Sequence, residues 1–301
     1  MPGWRVEDKA KMAEFGDPLE RPANSLAVIK YTGAKWNLSD WIIGNMPRHD
    51  IYLEPFFGSG AVFFSKPPVR TEVINDLDGQ VVNLFRVCRD RPKELVRALE
   101  LTPVAIDEHR AAYDEPEVGE PIEDARRMVV RAWMSFGGRQ GVRGGFRRNF
   151  QQTRSTIDDW MLLPERVMAV TSRLRGAVIE NEDAVALIGR YKNPETLIYA
   201  DPPYPFSVRS DTVHDKYYRT EMGKDADHLA LLDALDAHPG LVILSGYACP
   251  LYDDRLVGWK RIDRTARAQL GEPKIESLWL NRRASARVGH QMTIFDILPE
   301  G

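Results

Sequence analysis

Cysteine is nearly absent: Cys88 and Cys249 are the two in 301 residues. That scarcity excludes a disulfide framework and a thiolate metal cluster, and points to a reducing, cytoplasmic compartment. Long hydrophobic runs are missing too. The apolar stretches are strand-sized, so the sequence predicts neither a membrane span nor a signal peptide. Charge of one sign is not in excess either, since 41 Lys and Arg stand against 44 Asp and Glu for a net charge of -3. A uniformly basic nucleic-acid coat is thereby excluded. No internal repeat is present, and the length suits one large α/β domain carrying an insertion.

The chemistry concentrates in a few short strings. Asp201-Pro202-Pro203-Tyr204 follows the apolar run 197–200. A buried strand thus delivers a carboxylate to its C-terminal end, two prolines stiffen the exit, and an aromatic ring follows. Carboxylate and proline carbonyls accept hydrogen bonds from an amino group, and the tyrosine can stack on a flat ring. The alternative is a rigid Pro-Pro turn after a core strand. Upstream, 51–53 reads as a strand, Glu54-Pro55-Phe56-Phe57-Gly58-Ser59-Gly60 as a glycine turn, and 61–64 as the start of a helix. Strand, glycine turn and helix bring backbone close to a nucleotide-like ligand. The third glycine of a dinucleotide fingerprint is missing, as is the lysine of a P-loop, so a pyrophosphate is not the favoured ligand. Asp76 ends the next strand about 20 residues later, where an acid in such folds reaches ribose hydroxyls. The pair points to adenosine without phosphate; the plainer reading is a tight turn with Asp76 capping a helix from Leu77.

Between Arg126 and Arg154 lie eight arginines, with no acid and no lysine. Within that stretch, 136–150 alternates glycine, arginine and aromatic residues. Such a segment offers fork donors to phosphates or to the O6 and N7 of guanine, with Arg139, Arg143, Arg147 and Arg148 as candidates. The alternative is a solvated loop.

Periodicity supplies the organisation. Residues 1–25 are polar and proline-containing, an N-terminal arm. Ser39 is expected to cap a helix ending near Met46, with strands at 51–54 and 71–75. From Leu77 to Arg175 the apolar spacing is helical, and roughly 100 residues is too long for an ordinary crossover. The expectation is a helical subdomain, 86–175, inserted into an α/β domain made of 26–85 and 176–301. Strand character returns at Ala177–Glu180, Thr196–Ala200, 241–244, Lys274–Leu280 and 291–295, the final two reading as an antiparallel hairpin.

Three blocks in this order, Lys30-Tyr31-Thr32-Gly33-Ala34-Lys35, Glu54 to Gly60, and Asp201 to Tyr204, with a weaker Asn181-Glu182-Asp183, give the chain a resemblance to the Dam-like DNA adenine-N6 methyltransferases. The resemblance spans roughly residues 26 to 296. It implies a Rossmann-like, S-adenosylmethionine-dependent sheet, double-stranded DNA as partner, no metal, and a target-recognition segment between the glycine turn and the catalytic motif, which is where the arginines fall. By resemblance, Tyr31 lies near the methionine part of the cofactor and Lys35 holds its carboxylate or nearby carbonyls. Phe56, Gly58 and Gly60 form the cofactor turn. Glu54 either accepts backbone N–H bonds of that turn or simply ends a strand. Asp76 takes ribose hydroxyls, and Asp183 the adenine amino group unless it only caps a helix. Asp201, at the border of cofactor and substrate, works with Pro202 on the target N6, and Tyr204 stacks on an adenine flipped from the duplex. Phe206 is a second candidate wall. Tyr31 stands where some relatives have tryptophan. A methyltransferase acting on RNA or protein, or a silent DNA-binding relative, are the competing readings. A monomer is expected, because a domain of this size can act on one strand at a time.

Overall fold

A computed structural model describes residues 26–136, 142–148, 156–208, 218–266 and 274–295. The arm 1–25 and Arg139 lie outside the described residues. Aliphatic and β-branched runs form Ile51–Glu54 (β1), Thr71–Asn75 (β2), Ala177–Glu180 (β3), Thr196–Ala200 (β4) and Leu241–Tyr247 (β5). With Lys260–Ala266 (β6) and Lys274–Leu280 (β7) they build one seven-stranded sheet of order β3-β2-β1-β4-β5-β7-β6. The first five strands are mutually parallel, and β7 runs antiparallel to both neighbours, β5 and β6. The chain leaves β1 towards one edge and returns at β4 towards the other, so the strand order reverses between β1 and β4. Crevices at such a reversal, beyond the carboxyl ends of parallel strands, are where α/β sheets bind ligands.

Alternation along the strands divides the core in two. Tyr52, Ile74, Leu197, Tyr199, Leu241 and Ile243 face one layer, while Leu53, Val73, Ile198, Ala200, Val242 and Leu244 face the other. This is the period of two that a doubly covered sheet requires. The first layer holds helices Ser39–Gly44 (α1), Ala61–Ser65 (α2), Gly79–Asp90 (α3), Pro92–Glu100 (α4), Ile106–Asp114 (α5), Pro121–Met134 (α6), Thr156–Met161 (α7) and Leu163–Arg175 (α8). The second holds Ala184–Arg190 (α9), Asp225–Asp236 (α10) and Pro250–Arg255 (α11), and Arg282–Phe295 (α12) follows β7. Prolines stand at the start of α4, α6 and α11, where the missing N–H costs nothing. Helices α3 to α8 share a continuous apolar core with the sheet: Leu95, Leu99, Met128, Val129, Val167 and Val170 belong to the same cluster as Tyr52 and Tyr199.

A buried triad lies under this layer. Lys66 Nζ meets Glu72 Oε1 at 2.6 Å, and Arg173 pairs with the same carboxylate, with Nη2 2.7 Å from Oε1. The Lys66 ammonium also lies 4.3 Å from the centroid of the Tyr52 ring.

Local expectations need correction at three places. Ser39 is not the cap of α1: Leu38 holds that position and Ser39 Oγ donates to the Trp36 carbonyl. The cap of α3 is Asp78, whose carboxylate accepts from Gln80 N at 2.9 Å, rather than Asp76. Residues 291–295 are the end of α12, not a strand; the helix is set upstream, where Asn281 Oδ1 accepts from Ala284 N. The partner of β7 is β6, which apolar periodicity does not announce. Lys260, Arg261, Asp263 and Arg264 make it a charged edge of the kind that resists pairing with another sheet.

Candidate active site

At the reversal of strand order lies a cavity of about 530 Å³. Its walls collect segments distant in sequence: Tyr31 to Lys35, Glu54 to Ser59, Asn75 to Asp78, Glu182 to Val185 and Asp201 to Tyr204. Tyr31, Lys35, Glu54, Phe56, Gly58, Asp76, Asp183, Asp201, Pro202 and Tyr204 thus meet in one place. Gly60 sits just behind the wall. It begins α2 with φ of 70°, and an added Cβ would lie 2.5 Å from the Phe57 ring and 2.6 Å from that of Phe64. Gly58 has φ of 50° and faces Tyr31, whose ring a Cβ would approach to 3.1 Å. Both positions need a residue that tolerates a left-handed backbone and close approach.

The glycine turn is held from β2. Asp76 accepts from Gly58 N at 2.8 Å through one oxygen and from Asp78 N at 2.9 Å through the other. Removal from water pushes the Asp76 carboxyl up to about 6 against these two bonds. Glu54, in contrast, makes its hydrogen bond with the Tyr52 hydroxyl at 2.8 Å. Burial, reinforced by the charge of Asp201, pushes its carboxyl up to about 8 despite that bond. Asn75 is the tie that motif reading misses. Its amide donates to the carbonyls of Pro55 at 2.9 Å and Glu182 at 3.0 Å and accepts from Glu182 N at 2.9 Å, locking the glycine turn to the start of α9. Asp183 does cap α9, through Ala186 N at 3.0 Å, and also faces the cavity.

Asp201 leaves the end of β4 with both oxygens engaged. Oδ2 lies 2.8 Å from Lys35 Nζ, and Oδ1 accepts from Ser245 Oγ at 2.8 Å. Lys35 is 5% exposed and also donates to the Gly33 carbonyl at 2.9 Å. Lys35 thus joins the first block to the end of β4, through the Gly33 carbonyl and the Asp201 carboxylate. Tyr204 donates to Glu276 Oε2 at 2.9 Å, its ring 4.5 Å from that of Tyr247. Tyr247 and Glu276 are partners across the β5–β7 ladder, so one register supports the aromatic wall twice. Across the cavity, Tyr218 packs on Tyr31 at 5.8 Å and donates to the Thr32 carbonyl at 3.3 Å. Phe206 is not part of this wall; it is 44% exposed and packs over Gly223.

Eight carboxylic acids and one lysine, Lys35, occur among the described lining residues. Such a wall favours a cationic ligand and disfavours a polyphosphate. Among the described residues, no helix is long and apolar enough to cross a membrane, and no group of three or more His, Cys, Asp or Glu is placed to hold a metal ion.

The arginine-rich stretch divides by environment. Arg126 and Arg127 pair with Glu123 on α6, and buried Arg131 donates to the Ala112 carbonyl and to Gln80 Oε1. These three brace the helical layer. Arg147 turns towards Asp159, at 3.1 Å, an acid that also receives Lys30 at 2.9 Å. Arg143 is half in solvent, with Asp114 at 2.7 Å, and Arg148 is exposed.

A family model describing D12 class N6 adenine-specific DNA methyltransferases matches residues 31–253. The chain is 38% identical over 71 residues to the Type II methyltransferase M1.LlaDCHI of Lactococcus lactis subsp. cremoris, covering 23% of this chain and 25% of that one. It is 25% identical over 218 residues to the DNA adenine methylase of Serratia marcescens, covering 68% of this chain and 76% of that enzyme. With the DNA adenine methylase of Escherichia coli K12 the identity is 24% over 194 residues, 62% of this chain and 67% of the relative. The lactococcal match thus spans a quarter of its relative and the enterobacterial ones two thirds or more. With the matched model running from the Tyr31 block through the glycine turn and the Asp201 motif, the chain belongs to the D12 class of N6 adenine-specific DNA methyltransferases.

Proposed function

We propose that the chain transfers the methyl group of S-adenosylmethionine to the exocyclic N6 of an adenine flipped out of double-stranded DNA. The observation that carries this reading is the convergence, in one acid-lined cavity, of the Gly58 turn with Asp201 and Tyr204. The donor set fits the cofactor: a sulfonium and an ammonium against one carboxylate make it a net cation, as the eight wall acids favour. Gly58, Asp76 and Asp183 would hold its adenosine part, with Tyr31, Lys35, Glu54 and Phe56 around the remainder and Gly60 keeping the turn open. Bound there, the cofactor supplies a methyl group already activated for displacement, so no metal is called for.

The chain's task is to make a poor nucleophile attack. An adenine amino lone pair is delocalised into the ring, and N6 must become more tetrahedral. Asp201 and the Pro202 carbonyl accept from N6–H, favour that geometry and stabilise the positive charge that develops on nitrogen. Tyr204, fixed by Glu276 and Tyr247, stacks on the base. A base within the duplex cannot reach this cavity, so extrusion is required. Methyl transfer from labelled cofactor to unmethylated duplex DNA, followed by digestion to nucleosides, tests the reading. Label is expected in N6-methyladenine; label confined to RNA or protein would overturn it.

Residues 86–175 are proposed as the target-recognition part, with Arg139, Arg143 and Arg148 reaching phosphates or base edges and Arg147 anchored by Asp159. The chain acts as a monomer in the cytoplasm. Replacing Arg139, Arg143 and Arg148 together by alanine is expected to lower the slope of log affinity against log salt by about 2 to 3. Titrating duplex DNA at several salt concentrations reads this, and an unchanged slope would place the DNA contacts elsewhere.

A further inference from the structure

One side of the Asp201 motif faces the cavity; its buried side carries a further device. Ser245 stands on β5 one residue beyond Leu244, the partner of Ala200 in the β4–β5 ladder, so register sets it beside Asp201. It is 2% exposed, and its hydroxyl has one proton for three oxygens: Asp201 Oδ1 at 2.8 Å, the Ala200 carbonyl at 3.4 Å and the Tyr199 hydroxyl at 3.1 Å. The shortest contact is also to the charged acceptor, so the proton belongs to Asp201. Tyr199, 1% exposed, then donates to Ser245 Oγ. Burial raises the Tyr199 hydroxyl well above its ordinary range and keeps that proton in place.

We infer that Tyr199 and Ser245 form a one-way donor chain, Tyr199 O–H to Ser245 O–H to Asp201 Oδ1, that fixes the rotation of the catalytic carboxylate, so that Oδ2, which Lys35 also contacts, keeps a second lone pair aimed at the target amine. The proposal rests on the methyltransferase reading and adds two positioning residues to it. A carboxylate free to turn about its Cβ–Cγ bond would present either oxygen at varying angles, and the N6–H bond it must receive is directional. Donation into Oδ1 from a buried strand removes that freedom before the base arrives, which lowers the reorganisation left for the transition state. Lys35, held also by Gly33, contacts the opposite oxygen from the cavity side. The carboxylate is therefore set from behind by strands and from the cavity side by Lys35.

Ser245→Ala, the nearly isosteric Ser245→Cys, Ser245→Thr and Tyr199→Phe, assayed beside the unaltered chain, separate positioning from packing. The alanine and cysteine variants are expected to lose roughly 10- to 100-fold in kcat, the scale of a hydrogen bond to a charged group. KM for DNA and cofactor affinity should stay within about threefold, because the chain acts on the transition state. Threonine, which keeps the hydroxyl, should recover most of the loss. Tyr199→Phe removes one buried oxygen and should lower kcat by less, with no further loss when combined with Ser245→Ala. A cysteine variant as active as the unaltered chain, or additive losses in the double variant, would overturn the donor chain while leaving the methyltransferase reading intact. An unaltered chain that methylates no DNA would overturn both.

Discussion

Alanine at position 201 is expected to abolish methyl transfer, with a loss of at least about 10³-fold in kcat and little change in cofactor affinity. The asymmetry follows from placement. Asp201 stands at the end of β4 beside Tyr204, whereas the glycine turn is held by Asp76 and Asn75 from β2 and does not depend on it. Removing the carboxylate deletes the proposed acceptor for N6–H and leaves the Lys35 ammonium, 5% exposed, with the Gly33 carbonyl but without its carboxylate. Asparagine at 201 keeps an acceptor of the same shape and should retain a residual rate above that of alanine. Single-turnover transfer gives the rate, and calorimetry with the cofactor gives the affinity. Alanine turnover near the parental rate would remove Asp201 from the chemistry, and a collapse of cofactor binding would make it a ligand of the cofactor instead.

Glu72→Ala is expected to have the largest effect on stability, about 3–5 kcal/mol. Glu72 is 2% exposed and is shared by Lys66 and Arg173. Burial alone would push its carboxyl up, yet the charges and hydrogen bonds of the two cations outweigh burial and hold it at about 2. Burial also pulls the Lys66 ammonium down to about 8 despite its partner, so the triad is assembled against a desolvation cost. Removing the acid alone strands two cations beneath β1 and β2, and that costs more than the triad contributes. The sign of the pH effect follows from the depressed Glu72 value. Its contribution is present above the unfolded carboxylate range, near 4.3, and is lost as pH falls from there towards about 2. Urea unfolding at neutral pH measures the first effect and the acid limb of the unfolding curve the second. A loss under about 1 kcal/mol for the alanine variant would mean that water or relaxation already solvates the triad.

What was legible in the sequence divides along physical lines. Short-range signals survived: the strand before Asp201, the glycine turn and the helical spacing from α3 to α8 are local patterns of period 2 or 3.6. Long-range polar ties were silent. Asn75, Glu276 and Ser245 belong to no motif, and each matters because sheet register sets it beside a partner far away in sequence. Ser245 alone could have been found, since a hydroxyl just past an apolar strand neighbouring the catalytic one must stand near its end. The exchange of β6 for 291–295 has a similar cause. An edge strand of charged residues hides from hydrophobic patterning, whereas the alternation of Met292 and Ile294 with polar neighbours imitates a strand. Charge clustering misled in part: arginines of one acid-free stretch include Arg131, spent on a carbonyl and a glutamine inside the helical layer.

The unbroken core between α3–α8 and the sheet bears on how new specificities can arise in this scaffold. The proposed recognition part, 86–175, and the sheet that carries Asp201 are not cassettes joined by a seam. A chimera exchanging 86–175 between relatives would cut through α3 and divide one apolar cluster, to which Phe85 and Leu95 both belong. Retargeting by recombination is therefore disfavoured relative to retargeting by substitution at exposed positions such as Arg143 and Arg148, whose side chains can change without repacking the interior.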